Sequence, residues 1–320
     1  MSVLKHLHAD LLLNRPQTML DVVFATDRRG VIPAAVAARS VLDSTDQPDR
    51  LRIHIVHSGL DATQLSCMQR TLEIEPAPAA AEFHEFDVQR VSGLLRSKNI
   101  PSMAYARLFI SDFLPEQATR AVYLDFDTVT RRDLCELQWL PLKGHLVAAV
   151  PNGDPVECRR QAERLGLTTP RYFNSGVMLV DVPAWRAERV GEAALKFAGE
   201  FPGALIMHDQ DALNAAVADR WLELPSEWNT WAIHTNNAER KVIHFTMSPK
   251  PWHLDYDGPH PELFFAGLER TAFRGWRPAN PLGMGRLYAR IRRRIPYLPT
   301  VYRRGREWLR SLIGRNGGVT

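Results

Sequence analysis

Ala121-Val-Tyr-Leu-Asp-Phe-Asp127 is a short apolar run that stops on two acids one residue apart. Ala121–Leu124 reads as a buried strand, which puts Asp125 and Asp127 where strand becomes loop. The same form stands a hundred residues upstream. Met19–Ala25 (MLDVVFA) is apolar and ends in Thr26-Asp27. Between them, Val31–Leu42 is an Ala-rich helix and Leu51–His57 (LRIHIVH) an alternating strand. Asp61–Ile74 is a helix with Asp61 as its N-cap. After the Pro76-Ala77-Pro78 break come a strand, Glu82–Phe86, and a helix, Ala104–Phe113. Strands alternating with helices predict βαβ units and a parallel sheet. The first 130 residues read as a doubly wound half of nucleotide-binding type. Beyond them the pattern is mixed: His145–Val150, Gly176–Val180 and Val242–Phe245 are strand-like, Pro183–Phe197 and Gln210–Ala218 helical. Pro278, Pro281, Gly283 and Gly285 mark the end of the globular body. The expected division is residues 1–280 as the body and 281–320 as a tail.

At 320 residues, with 45% hydrophobic and 24% charged side chains, the chain can bury a sizeable core and is neither fibrous nor disordered. Three scattered cysteines, Cys67, Cys135 and Cys158, make no disulfide framework and no CxxC zinc site, and point to a reducing compartment. The N-terminus lacks a long apolar segment and a small-residue cleavage site, so no signal peptide is expected. No apolar run reaches 18 residues, so no membrane span is expected. Net charge is +4, but residues 281–320 hold ten arginines and one acid, Glu307. The tail therefore carries +9 and the body −5. An acidic body argues against nucleic acid as a partner.

In an open α/β sheet, ligands sit at the carboxyl ends of strands. Asp27 stands at one such end, Asp125 and Asp127 at another. Two carboxylates that close are costly unless a cation lies between them. Hard oxygen donors suit Mg²⁺ or Mn²⁺, ions that commonly bridge a diphosphate. Alone, the same D-x-D describes a solvated acidic turn. The stretch His244-Phe-Thr-Met-Ser-Pro-Lys-Pro-Trp252 adds an imidazole able to complete an O,O,N metal site, with Lys250 six residues on. Arg107, in Tyr105-Ala-Arg-Leu108, offers a second cation, although one arginine on a helix is ordinarily a surface residue.

Six stretches in order resemble glycosyltransferase family 8, the retaining UDP-sugar transferases of the GT-A fold. They are Phe24-Ala-Thr-Asp27, Tyr105-Ala-Arg-Leu108, Tyr123-Leu-Asp-Phe-Asp127, Tyr172-Phe-Asn-Ser-Gly-Val177, Asp209-Gln-Asp-Ala-Leu-Asn214 and His244 through Lys250-Pro-Trp252. The bacterial lipopolysaccharide galactosyl- and glucosyltransferases are the branch most similar. The resemblance implies an α/β, Rossmann-like mixed sheet flanked by helices. It implies Mn²⁺, or Mg²⁺ in its place, on Asp125, Asp127 and His244. It places Ala25, Thr26 and Asp27 at the uridine, with Phe126 inside the same donor site. Lys250 would meet the diphosphate and Arg107 the phosphate and sugar. Asn174 and Asp209 would meet sugar hydroxyls, and Gln210 would lie at the anomeric carbon. The implied catalytic set is Arg107, Asp209 and Gln210. Asp211 and Asn214 are expected to be structural. An amide at Gln210 is a poor nucleophile, which favours front-face attack over a covalent intermediate.

The sequence departs from the family pattern twice. Arg28, Arg29 and Gly30 follow Asp27 where an acid or Asn and then Asn-Tyr are usual, and Met247 replaces a glycine before the lysine. These departures leave open a second reading, a non-catalytic nucleotide-sugar-binding protein. A nucleotidyl or phosphoryl transferase is disfavoured, because no G-x-x-x-x-G-K-[ST] loop is present. In the tail, Met284, Leu287, Tyr288, Ile291 and Ile295 share a helical face among arginines, and Trp308, Leu309, Leu312 and Ile313 form a second apolar cluster. Such segments lie in anionic membrane interfaces. The expected partners are thus a UDP-hexose, a glycolipid or polysaccharide acceptor, and an anionic membrane. The expected place is cytoplasmic, at the inner face of the cytoplasmic membrane.

Overall fold

The computed structural model describes residues 19–94, 102–234, 240–246 and 248–278. The expected tail helices and Met247 lie outside these residues. The Met19 run forms β1 (Leu20–Asp27), whose residues are buried on both sides except at its end, as a central parallel strand must be. α1 (Val31–Asp43) follows and is buried nearly all round. Its run of alanines lets it press closely on the sheet. β2 (Leu51–Ser58) pairs parallel with β1 in unbroken register. α2 (Ala62–Leu72) starts on Asp61 in a reciprocal capping box with Gln64, as expected. β3 (Ala80–Glu85) is the outer strand, parallel to β2 and half-exposed along its length.

The expected helix over Ala104–Phe113 is instead a 3₁₀ segment, Ser102–Phe113, kinked at Phe109. The tighter winding suits its surroundings. Arg107 turns inward, its Nε donating back to the Ala104 carbonyl at 3.0 Å. The Leu108 carbonyl is covered so closely by Gly191 that an added Cβ there would lie 2.0 Å from it. β4 (Arg120–Leu124) then lies parallel to β1, and the D-x-D follows it. β5 (Thr128–Thr130), α3 (Cys135–Gln138), β6 (Val147–Pro151) and α4 (Pro155–Arg164) come next.

β7 (Phe173–Asp181) runs antiparallel to both β4 and β6, so the sheet is mixed rather than wholly parallel. The single expected helix over Pro183–Phe197 is two, α5 (Val182–Ala187) and α6 (Val190–Glu200), broken at Arg189 with φ +50°. α7 (Asp209–Val217), β8 (Trp221–Glu223), β9 (Thr230–Trp231), β10 (Val242–His244) and α8 (Pro261–Glu269) complete the described fold. The main sheet has the order β3-β2-β1-β4-β7-β6-β8, and β5-β10-β9 form a small second sheet.

Alternation along β1 builds both core layers. Val23 and Ala25 belong to one buried cluster with Tyr105, Leu108, Met178 and Leu213, while Val22 and Phe24 belong to another with the alanines of α1 and Leu72 of α2. The small sheet matters for position. β5 leaves the D-x-D directly and pairs antiparallel with β10, setting His244 opposite Thr128.

Candidate active site

The chain turns sharply between β4 and β5. Thr128 donates its amide (3.2 Å) and its hydroxyl (2.7 Å) to the Asp125 carbonyl. The Asp125 amide donates to Gly176 of β7, and the Asp127 carbonyl accepts from Phe245 after β10, each at 2.8 Å. The acidic pair is thereby fixed from both sides. His244 Nε2 stands 3.1 Å from Asp127 Oδ1 and 3.8 Å from Asp125 Oδ2. One donor atom from each of the three residues lies within 4.8 Å of the others. A side chain at position 176 would occupy this space, its Cβ 2.3 Å from His244 Cε1 and 2.8 Å from Asp125 Oδ2. Two carboxylates and an imidazole, kept clear by a glycine, fit a divalent cation.

The cations divide between the two acids. Lys250 Nζ donates to Asp127 Oδ2 and to the Phe245 carbonyl. Burial favours the neutral Asp127 carboxyl, but Lys250 and His244 outweigh it and hold its pKa far below the usual range. Arg107, almost wholly buried, reaches Asp125 Oδ1 at 2.7 Å, Asp209 Oδ2 at 2.9 Å and Ser175 Oγ at 2.7 Å. Burial opposes its charge, and the two aspartates override it, so Arg107 stays protonated. Asp209 itself is pushed up to about 6, by burial against the pull of Arg107. Tyr123 donates to Asp125 Oδ1 at 3.1 Å, and burial holds its phenol neutral.

Gln210 is fully engaged. Its Oε1 accepts from the Ser175 amide at 3.0 Å and its Nε2 donates to Tyr172 Oη at 3.1 Å. Asp209 and Gln210 open α7 immediately after His208, whose φ is +45° and whose buried Nδ1 has no partner. Strain of this kind is held in place only where the surroundings over-determine it. Asp211 and Asn214 are structural, as expected. Asp211 accepts from Arg164, from Tyr172 Oη at 2.6 Å and from the amides of Ile206 and Met207. Asn214 clamps both backbone groups of Phe173.

At the end of β1, Ala25 and Thr26 are buried. Asp27 Oδ1 accepts from the amides of Arg29 (2.8 Å) and Gly30 (3.0 Å), so this carboxylate shapes the turn into α1. Gly30 is required there, because a Cβ would lie 2.7 Å from Thr26 Oγ1 and 3.3 Å from the Phe126 ring. Arg28 pairs with Asp61 at the surface. Phe126 packs on Trp252, which packs on Phe264 of α8, and this stack anchors the Lys250-Pro-Trp segment.

A chain of amides runs beneath the site, of which sequence reasoning named Asn174 and missed Asn152, Gln161 and Asn229. Asn229 Nδ2 donates to Asn174 Oδ1 (2.8 Å), Asn174 Nδ2 to Asn152 Oδ1 (2.8 Å), and Asn152 Nδ2 to Gln161 Oε1 (3.1 Å). Gln161 Nε2 donates to Glu157 Oε1 at 2.6 Å. Asn229 Oδ1 lies 2.9 Å from His244 Nδ1. Because the Asn229 amide nitrogen is spent on Asn174, its oxygen accepts from Nδ1–H, and His244 Nε2 is the ring atom left to face Asp125 and Asp127. Asn174 also accepts from the Gly176 amide at 2.9 Å, so its carbonyl oxygen is filled from within the protein.

The sequence model described as "Glycosyl transferase family 8" matches residues 21–255. The chain belongs to glycosyltransferase family 8. General stress protein A of Bacillus subtilis (strain 168) is 28% identical over 252 residues, 72% of this chain and 87% of that protein. Lipopolysaccharide 1,2-glucosyltransferase of Escherichia coli (strain K12) is 30% identical over 198 residues, 55% of this chain and 56% of that one. Lipopolysaccharide 1,3-galactosyltransferase of Salmonella typhimurium (strain LT2) is 25% identical over 281 residues, 82% of this chain and 81% of that one. Among solved structures, the galactosyltransferase LgtC with donor and acceptor sugar analogues superposes with a TM-score of 0.69 at 22% identity, covering 82% of this chain and 98% of its own. The family 8 chain therefore has the GT-A fold, and it is an enzyme, a glycosyltransferase.

Proposed function

We propose that this family 8 enzyme is a metal-dependent, retaining hexosyltransferase. It moves galactose or glucose from a UDP-sugar to a cell-surface glycolipid or polysaccharide, such as a lipopolysaccharide core. The observation that carries the reading is the convergence of Asp125, Asp127 and His244 with Lys250 and Arg107 beside buried Asp209 and Gln210. Relatives named as lipopolysaccharide glucosyl- and galactosyltransferases support the acceptor class.

Asp125, Asp127 and His244 would hold Mn²⁺, which when bound supplies charge stabilisation for the departing diphosphate. Lys250 is set to bind the same diphosphate, and the Phe126–Trp252 contact holds its loop in place. Arg107, kept charged by two aspartates, orients the phosphate and sugar. Asp209 receives sugar hydroxyls at the first turn of α7. Gln210 presents a fixed amide at the anomeric carbon, because Ser175 and Tyr172 hold both of its ends. The Asp209 carboxylate is held by Arg107 and Gln210 is an amide, so neither is a free nucleophile. This supports front-face attack with retention. Residues 281–320 attach the enzyme to an anionic membrane surface, where its acceptor resides.

The test is UDP release from a panel of UDP-sugars with and without Mn²⁺, with the Asp125→Ala/Asp127→Ala protein as blank. Release that depends on Mn²⁺, occurs with one hexose and is absent from the blank is the expected result. Equal release from the blank, or none from any sugar with an acceptor lipid supplied, would end the proposal. A covalent hexose on Asp209, seen by mass spectrometry, would overturn front-face attack.

A further inference from the structure

A second group of metal-ligating side chains lies far from the donor site, across β1, β2 and β3. His54 is fully buried at the middle of β2, and Glu82 and His84 face it from the outer strand β3. His54 Nδ1 is 3.0 Å from His84 Nε2 and 3.7 Å from Glu82 Oε2, and the last two atoms are 3.8 Å apart. A point equidistant from all three lies about 2 Å from each, the length of a zinc–nitrogen or zinc–oxygen bond. His54 Nε2 lies 2.8 Å from Asp21 Oδ1, on β1. A carboxylate accepts only, so Nε2 carries the proton and the Nδ1 lone pair points at His84 and Glu82. This is the carboxylate–histidine arrangement that orients ligands at metal centres.

Arg52 flanks the group, 3.5 Å from Asp21 and 3.6 Å from Glu82, and offsets part of their charge. The His84 and Glu82 side chains are 22% and 42% exposed, which opens a path from solvent. Burial holds His84 neutral, in the form that ligates. Asp21 lies six residues, about 20 Å of strand, before the carboxyl end of β1. The group therefore cannot share an ion with Asp125, Asp127 and His244.

We propose that His54, His84 and Glu82 form a second metal site that binds one Zn²⁺ and ties the outer strand β3 to β2. Two imidazoles and one carboxylate suit zinc, whereas Mg²⁺ and Mn²⁺ favour all-oxygen sets. In the metal-free chain His84 Nε2–H donates to His54 Nδ1. Binding moves that proton to His84 Nδ1, and water fills the fourth position.

The experiment uses the full chain carrying Asp125→Ala and Asp127→Ala, so that the donor site no longer competes. After chelation and gel filtration, Zn²⁺ is titrated against a chromophoric chelator, and bound metal is measured by mass spectrometry. One tightly held Zn²⁺ per chain is expected. Adding His84→Ala weakens it at least tenfold, and adding Glu82→Gln weakens it by less. Co²⁺ in place of zinc gives the visible absorption of a four-coordinate site, lost with His84→Ala. In EDTA the His84→Ala protein melts lower, because buried His54 Nδ1 loses its donor, and Zn²⁺ raises the melting temperature only where His84 is present. Zinc bound equally well after His84→Ala, or no zinc retained by the parent, overturns the proposal.

Discussion

A methyl group added at Gly176 would stand against both His244 and Asp125, and no flexible side-chain end is there to yield. Gly176→Ala is therefore expected to weaken Mn²⁺-supported UDP binding roughly 10–100-fold, the loss usual when ligand orientation is disturbed. Calorimetric titration checks this, and unchanged affinity would sink it. Asp209 gives a pH prediction. Its carboxyl is raised to about 6, so its stabilising contribution is full below its ordinary value near 3.8 and lost as pH rises through 6. Asp209→Asn keeps an acceptor for Arg107 without the buried charge. Its stability relative to the parent should improve between about pH 3.5 and 6.5, by up to about 3 kcal/mol, and level off above, in urea melts at each pH. A constant difference across that range would refute it. At this scale the motif residues were legible because their types and spacing are tied to chemistry. Asn229 was not, because it acts through an imidazole 15 positions away and one asparagine carries no pattern.

At the scale of elements, the buried parallel strands announced themselves as apolar runs, and Asp61 announced the start of α2. β10 was legible as the strand-like Val242–Phe245, but its partner β5, three residues long, is too short for any periodicity. Yet they bring His244 to the D-x-D, so the site's assembly was hidden where its residues were visible. α4 went unread, although Asp154 followed by Pro155 marks its start and Asp154 Oδ1 accepts from the Val156 and Glu157 amides at 2.9 Å. The 3₁₀ winding of Ser102–Phe113 was illegible because it answers to a tertiary contact, Gly191 of α6 seated on the Leu108 carbonyl. Gly191→Ala should push α6 off this segment and cost about 1–3 kcal/mol, read from chemical denaturation. The same change should lower transferase activity, since Arg107 sits one residue before Leu108. A fully stable, fully active variant would show that the contact is slack.

For the whole molecule, charge is unevenly spread along the sequence, with −5 on residues 1–280 and +9 beyond. No helix among the described residues is long and apolar enough to cross a membrane. A chain ending at residue 280 is expected to lose sedimentation with phosphatidylglycerol vesicles while keeping the parent's affinity for UDP and Mn²⁺. Vesicle binding at the parent level would place attachment elsewhere. The amide chain reaches equally far across the molecule. Its five hydrogen bonds all run one way, from His244 toward Glu157, because a carboxylate can only receive. The chain thus behaves as a rectifier. No amide can turn over alone without setting two like groups face to face, and the Gly176 amide, donating to Asn174 Oδ1, bars reversal of the whole chain. Which nitrogen of His244 keeps its proton is decided two amides away, by the Gly176 backbone N–H that fixes the Asn174 carbonyl oxygen. A single peptide group of β7, which cannot turn over, holds the compass needle of the ligand beside it.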